Sequence, residues 1–517
     1  MKNTKPKAVI IGAGVGGLSL GPMLSKNGFD VHIYESNKTI GGRANILKKN
    51  GFTFDTGPSL LNYPWVYEDY FNSLGKNFYD YVELISVDPA VNFMWRDHSN
   101  FQLSSDMTTL SEEVAKFNSE DRYGLVDFFK NSNKKYDLAF EKLVTRNSSN
   151  IFSWLKNTGM NNLFKLGLLN NMYDEIGKYF NEKKIIEAFS SYSMYLGDSP
   201  YKLPGFFSIL PFGELQYGLW MPKGGMYGLI MGLKKLNEDF NVTIHTEKRV
   251  EEIKIENDQV KGVTLSDQTH IKSDIVVSNV DSSTTFQSLI NDDKKFKKYK
   301  MTPSVYTFYW GVNKKIDSMT HHTIFLPNNF KKTFNELFIN KEIPEDLPFY
   351  ISIPSKTDNT LAPKNNSSVF ALVPCPVIST KKYGYDKEDF SQIKSRIFER
   401  LNHQKINLSE NDIIFEEVWD PNKWESEFGL FDGSAFGPSH NFFQIGPFRN
   451  QNMSKKYKNL YFVGASTTPG TGVPMCVLSS KMTTEKILTH YSNCLLYTSD
   501  AADEGLGVDL GGRRIIK

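Results

Sequence analysis

The sequence predicts an α/β protein: a discontinuous Rossmann-type dinucleotide-binding domain into which an α+β domain is inserted. Three observations predict it. A strand, a glycine turn and a helix occupy residues 7 to 24. The next strand ends in Glu35, about twenty residues past the glycines, which is the spacing of a ribose-binding carboxylate. A second strand, glycine-rich loop and helix follows only after Asn459, so the chain leaves this domain and returns to it.

Lys7 to Ile11, KAVII, is a short apolar strand, and Leu18, Leu20, Met23 and Leu24 mark an apolar-periodic helix. Between them stand Gly12, Gly14, Gly16 and Gly17. Gly12 permits the tight turn, Gly14 lets a pyrophosphate approach the backbone, and Gly17 allows the helix to pack closely on the strand; the helix N-terminus adds amides and a positive dipole. Glycine turns of this spacing are common, and the signal lies in the complete unit with Val31 to Tyr34 and Glu35. Taken apart from that unit, Glu35 reads as a solvated strand end. No arginine follows it where the 2′-phosphate of NADP would need one.

Composition bounds the rest. A chain of 517 residues, 40% hydrophobic, buries a large core and divides into two or more domains. Sixty basic against 58 acidic residues leave no nucleic-acid footprint. Cys375, Cys476 and Cys494 are far apart and show no metal-ligand spacing, which argues against a disulfide framework or a metal site and for a reducing, intracellular setting. The start runs directly into a strand, leaving no room for a cleavable signal peptide, and no run of about eighteen apolar residues is present. The runs at 293–300 and 363–368 read as solvated loops or domain margins, and there is no internal repeat. From Cys494 to Lys517 the composition shifts abruptly and back-translates into a sequencing-library adapter with a transposase end. The expectation is that the natural reading frame departs near Asn493, so Gly505, Gly507, Gly511 and Gly512 form no second nucleotide loop.

Two further segments carry a family resemblance. Ile40-Gly41-Gly42-Arg43-Ala44 precedes FDTGPS at 54–59, and NLYFVGASTTPGTGVPMCVLSSKMTTEKIL spans 459–488. On bare residues the first pair is also an ordinary turn and hairpin. Together with WMPKGGM at 220–226, IVVSN at 275–279, SMYLGDSPY, HHTIFLP and WESEFGLFDGSAFG, they resemble the bacterial and fungal phytoene desaturases, FAD-dependent members of the amine-oxidase-like oxidoreductases, and the fungal type most. The resemblance covers about Lys7 to Leu488. Thr468, where the family usually has His, and Met475, often smaller, depart from it and bear on substrate choice and step number.

The resemblance implies FAD as cofactor, held by Gly12, Gly14, Gly16, Gly17, Glu35, Gly42, Arg43, Pro58, Ser59, Val250, Gly464, Gly472, Val473 and Pro474. It implies desaturation of phytoene or a related acyclic carotene to a more conjugated polyene. Carotenoid isomerase, ketolase or saturase chemistry, or a non-catalytic flavin-binding partner, are alternatives on the same scaffold. Lacking a second dinucleotide fingerprint, the chain is expected to pass electrons to a quinone or oxygen. Glu214 matches a family glutamate and is a candidate proton acceptor beside an apolar tunnel, or else a salt-bridged hinge residue. Arg449 would hold that carboxylate or the flavin, and His322 reads as a packed or capping residue. A hydrophobic polyene requires lipid contact, so the protein is expected to sit peripherally (monotopically) on a membrane, through aromatic and leucine residues of Ile151 to Phe180 or through an anchor beyond Asn493. That stretch fits a core helix of the inserted domain equally. The FAD domain is assigned to 1–105, 212–300 and 445–493, and the substrate and membrane domain to 106–211 and 301–444.

Overall fold

The computed structural model describes residues 5–147, the isolated positions 152, 154, 156, 159 and 162, then 165–292, 299–380, 385 and 388–491, with backbone alone at 387 and 492–503. The strand Lys7–Ile11 is buried on both faces and therefore reads as a continuous apolar run. It is the middle of a five-stranded parallel sheet ordered Leu460–Phe462, Ile275–Ser278, Lys7–Ile11, Asp30–Tyr34, Thr243–His245. Alternation divides its side chains. Ala8 and Ile10 join a helical core that includes Leu18 and Leu20 of the helix Val15–Lys26 and Val477 of the helix Val473–Asp503. Val9 and Ile11 meet Val250, Ile253 and Val263 of a three-stranded antiparallel sheet on the other side.

The hairpin Ile46–Lys49 and Phe52–Asp55 is tied to this unit by Asp55, which accepts the backbone N–H groups of Met226 at 2.7 Å and Tyr227 at 3.0 Å where the helix Tyr227–Asp239 begins. Burial pushes the Asp55 carboxyl up to about 7, against the two amide bonds that lower it.

A seven-stranded mixed sheet forms the second body, ordered Ile413–Trp419, Ser304–Val312, Ser367–Cys375, Phe349–Ser352, His322–Phe325, Val91–Met94, Asn100–Leu103. Its alternation positions the site. Tyr306, Phe308 and Trp310 with Val369, Ala371 and Val373 pack under Ile393, Ile397 and Leu401 of the helix Lys387–His403. Val305, Thr307, Phe370 and Leu372, one residue out of phase, face a cavity. Helices Asp121–Ala139, Lys183–Ser190 and Ile209–Tyr217 cover that side through Phe128, Phe189 and Phe212.

Sheet membership corrects two expected boundaries. The strands Val91–Met94 and Asn100–Leu103 belong to the seven-stranded sheet, so 1–105 runs past the edge of the nucleotide unit. Position 212 falls inside the helix Ile209–Tyr217. Ser367 and Ser368, read as loop, are buried strand residues. Of the residues singled out between Ile151 and Phe180, Leu155, Leu163 and Phe164 lie outside the described residues; from Leu166 the chain forms turns and the short helix Met172–Ile176, with Leu166, Leu168 and Phe180 buried. Side chains from 492 onward and all of 504–517, including Cys494 and the adapter-like tail, also lie outside the described residues, as does the run 293–298. Among the described residues, no helix is long and apolar enough to cross a membrane.

Candidate active site

A cavity of about 540 Å³ extends from the glycine turn to the inner face of the seven-stranded sheet. Of the predicted cofactor residues, Gly14, Gly16, Gly42, Arg43, Pro58, Ser59, Gly472, Val473 and Pro474 line it. The structure thus joins the opening turn, the second segment and the closing helix around one space. Gly12, Gly17, Glu35 and Gly464 sit behind its wall and shape the turn. Val250 packs in the apolar cluster with Val9, Ile11 and Tyr34.

Neighbouring atoms leave the glycines no room for side chains. A Cβ on Gly14 would stand 2.8 Å from the Asn279 Nδ2, one on Gly16 3.0 Å from the Gly464 Cα, and one on Gly17 2.3 Å from the Gly12 carbonyl oxygen. The Glu35 carboxylate is fixed by the Ala13 N–H at 2.8 Å and the Asn37 N–H at 2.9 Å. An open backbone concavity at a helix N-terminus with a fixed carboxylate beside it is the donor and acceptor set that a dinucleotide requires, so these residues fit FAD. Asn279 was not singled out from the sequence. It ends a strand and touches Gly12, Gly14, Gly16 and Gly464 at once, a convergence that only pairing of the distant strands creates.

Charged groups on the wall are few. Arg43 donates to the Ala435 carbonyl at 2.8 Å and faces Asp281, whose carboxyl burial raises and Arg43 lowers. Arg449 departs from expectation. Its guanidinium donates to the carbonyls of Thr467 at 2.9 Å and Ala465 at 2.6 Å, and burial pulls it down to about 10. It is not among the described residues that line the cavity, and it holds the closing loop by its backbone rather than the Glu214 carboxylate. Thr468 and Met475, the two departures from the resemblance, both line the cavity.

Glu214 is also not on the wall. Only 1% exposed, it accepts a hydrogen bond from the Tyr192 hydroxyl and another from Asn62 Nδ2 at 3.2 Å, and both donors line the cavity. Its alternative reading as a salt-bridged hinge finds no cation acting on it among the described residues. Burial pushes the carboxyl up to about 7, opposed by the bonds from Tyr192 and Asn62. His322 is fully buried with Nδ1 2.6 Å from the Tyr350 hydroxyl, which in turn lies 2.7 Å from Ser59 Oγ. Burial drives His322 well below its usual range, keeping the ring neutral. Tyr192, Asn62 and Tyr350 carried no signal in the sequence: Asn62 and Tyr350 are single polar residues in apolar stretches, Tyr192 stands among serines, and the role of each depends on packing between distant segments. Among the described residues no cluster of His, Cys, Asp or Glu is placed to hold a metal.

The signature described as "Flavin containing amine oxidoreductase" matches residues 15–488. The chain belongs to that family. FAD is its cofactor, and the protein is an FAD-dependent oxidoreductase. Within the family, it is 32% identical over 489 residues to the zeta-carotene-forming phytoene desaturase of Myxococcus xanthus, covering 93% of this chain and 94% of that protein. It is 34% identical over 498 residues to the phytoene desaturase of Phycomyces blakesleeanus, covering 93% and 85%. Putrescine oxidase bound to putrescine superposes with a TM-score of 0.60 over 94% of this chain and 99% of its own; at 11% identity, that likeness concerns the fold.

Proposed function

We propose that this oxidoreductase desaturates phytoene or a closely related acyclic carotene. The observation that carries the reading is the continuous cavity, glycine-lined at one end and walled elsewhere by side chains such as Phe206, Phe207, Phe334 and Phe370. A linear hydrocarbon offers no charge to grip, so recognition rests on burial of its length against such walls and on exclusion of water. Bound flavin supplies a two-electron acceptor for hydride from an allylic carbon. The chain positions the substrate and accounts for the neighbouring proton. Reoxidation is assigned to a quinone or oxygen, distinguished by anaerobic turnover with and without added quinone.

In cells that accumulate phytoene, expression of the protein is expected to yield pigments with longer conjugated systems, resolved by absorption spectra and chromatography of extracts. Unchanged phytoene beside flavin-loaded protein would rule the substrate out; a rearranged, oxygenated or more saturated product moves isomerase, ketolase or saturase chemistry to the front.

The same reading calls for lipid contact. Exposed Phe152, Leu169 and Phe443, at 81%, 76% and 72% exposure, stand one or two residues from the cavity-lining Trp154, Leu168 and Ile445. A Cβ on Gly446 would lie 3.0 Å from Trp154 Nε1, so the two segments meet at the cavity. Apolar tips flanked by exposed Lys156 and Lys165 suit the surface of an anionic bilayer, on which the protein would sit peripherally. Wild-type protein is expected to float with anionic liposomes, and the Leu169→Glu/Phe443→Glu variant to stay behind with its flavin intact. Wild-type protein that fails to float refutes the docking face.

A further inference from the structure

We propose that Tyr192 takes the substrate's proton and that Glu214, one hydrogen bond behind it, is the positioning residue that receives the tyrosine's own proton. The proposal rests on the desaturation reading and names the acceptor that reading leaves unassigned. Removing hydride from one carbon requires the adjacent C–H bond to break as well. Its electron pair becomes the second bond of the new alkene, and its proton needs a polar atom on an otherwise apolar wall.

Among the described residues, Tyr192 places such an atom on the wall with a buried carboxylate behind it. Tyr192 lies in the 3₁₀ turn Ser191–Leu196 and lines the cavity. Its hydroxyl donates to Glu214 Oε1, while Asn62 Nδ2 holds Oε2 at 3.2 Å. This arrangement depends on Gly213. The Tyr63 ring lies where a Cβ at that position would be, 2.4 Å from Tyr63 Cε1, so the segment bearing Asn62 packs directly on the helix bearing Glu214. A proton arriving at the Tyr192 oxygen can therefore be matched by transfer of the existing hydroxyl proton to Glu214, with no net charge left on the phenol.

The surroundings keep that base available. The titratable groups facing the pair from the packed elements are the phenols of Tyr63, Tyr195 and Tyr350, with His322 neutral behind Tyr350. None of these neutralises Glu214. Asp281, a carboxylate on the wall itself, instead faces Arg43 and stands beside the glycine turn. A carboxyl held near 7 is partly ionised at neutral pH and matched to accepting a proton there.

The test is anaerobic bleaching of the flavin in holoenzyme mixed with phytoene in anionic vesicles of phosphatidylcholine and phosphatidylglycerol, with products identified by chromatography. Because Glu214 must be ionised to act, the wild-type rate is expected to rise with pH through about 7. Glu214→Gln, which keeps the hydrogen bonds, is expected to lose roughly 100-fold in rate and the pH limb with it. Tyr192→Phe is expected to lower kcat comparably while leaving KM and flavin content in place. An infrared titration of the wild type supplies a readout apart from turnover: a carboxylic carbonyl band absent from Glu214→Gln is expected to fade over the same pH range in which the rate rises.

Wild-type rates and pH dependence in both variants would overturn the proposal, as would a limb that survives in Glu214→Gln and disappears in Asp281→Asn. If the variants do not fold, the wild type decides: coincidence of band and rate limb supports the proposal, and separation by more than about one pH unit overturns it. A wild-type enzyme that neither bleaches nor forms product overturns the desaturation reading, and the proposal with it.

Discussion

Gly14→Val protein is expected to purify colourless. The valine Cβ would meet Asn279 Nδ2 at 2.8 Å, and its methyl groups would fill the concavity against which a pyrophosphate must rest. Losing two charge-assisted hydrogen bonds from the turn's amides costs roughly 3–6 kcal/mol, or about 10²- to 10⁴-fold in affinity. Gly14 has φ −76°, a conformation that valine tolerates, so the far-ultraviolet circular dichroism should remain that of the wild type while the flavin absorbance disappears. A yellow variant with full flavin occupancy would show that the cofactor does not cross this turn.

Arg449→Met is expected to be the most destabilising single change outside the cofactor cradle. Methionine preserves much of the volume but strands the Thr467 and Ala465 carbonyls, which now accept at 2.9 and 2.6 Å from a buried cation. Two such bonds contribute roughly 3–6 kcal/mol. Urea titration followed by tryptophan fluorescence should register that loss, and flavin release should accompany it because the freed loop leads into the cavity-lining Gly472–Pro474 segment. Arg449→Lys should recover only part of it, since an ammonium lacks the planar fork that spans both carbonyls. Unchanged stability in the methionine variant would mean that other bonds suffice to hold the loop, such as those from Asn452 Nδ2 to the Thr468 carbonyl at 3.1 Å and from the Gly464 N–H to Ser479 Oγ at 3.1 Å.

The ends of the chain were legible because their chemistry is local. Glycine spacing, the carboxylate after the second strand and the glycine loop before the last helix each constrain a few consecutive residues, and the structure brings Gly14, Arg43 and Pro474 to one cavity. The middle was less legible for a physical reason. Ser304–Val312 is buried at every position, so SVYTFYWGV shows no polar-apolar alternation even though its odd and even residues serve different faces. The strand pair at 91–103 was assigned to the wrong body because its partner, His322–Phe325, lies more than two hundred residues away. Glu214 was found by resemblance, but its separation from the cavity by Tyr192 and Asn62 is a matter of tertiary contact. Arg449 was also found by resemblance, and its bonds to the Thr467 and Ala465 carbonyls are likewise a matter of tertiary contact.

The placement of Leu460–Phe462 also has a bearing on how the protein comes into being. That edge strand pairs with Ile275–Ser278, which pairs with Lys7–Ile11, and Gly464 beyond it closes on Gly16. Of the two strands that flank Lys7–Ile11, Asp30–Tyr34 follows it directly, whereas Ile275–Ser278 and the edge strand beyond it are made hundreds of residues later. At about 5–20 residues per second, the interval is on the order of half a minute or more. Until Ile275–Ser278 emerges, the apolar segment KAVII lacks its neighbour on one side, and the nucleotide cradle is incomplete until Gly464 follows.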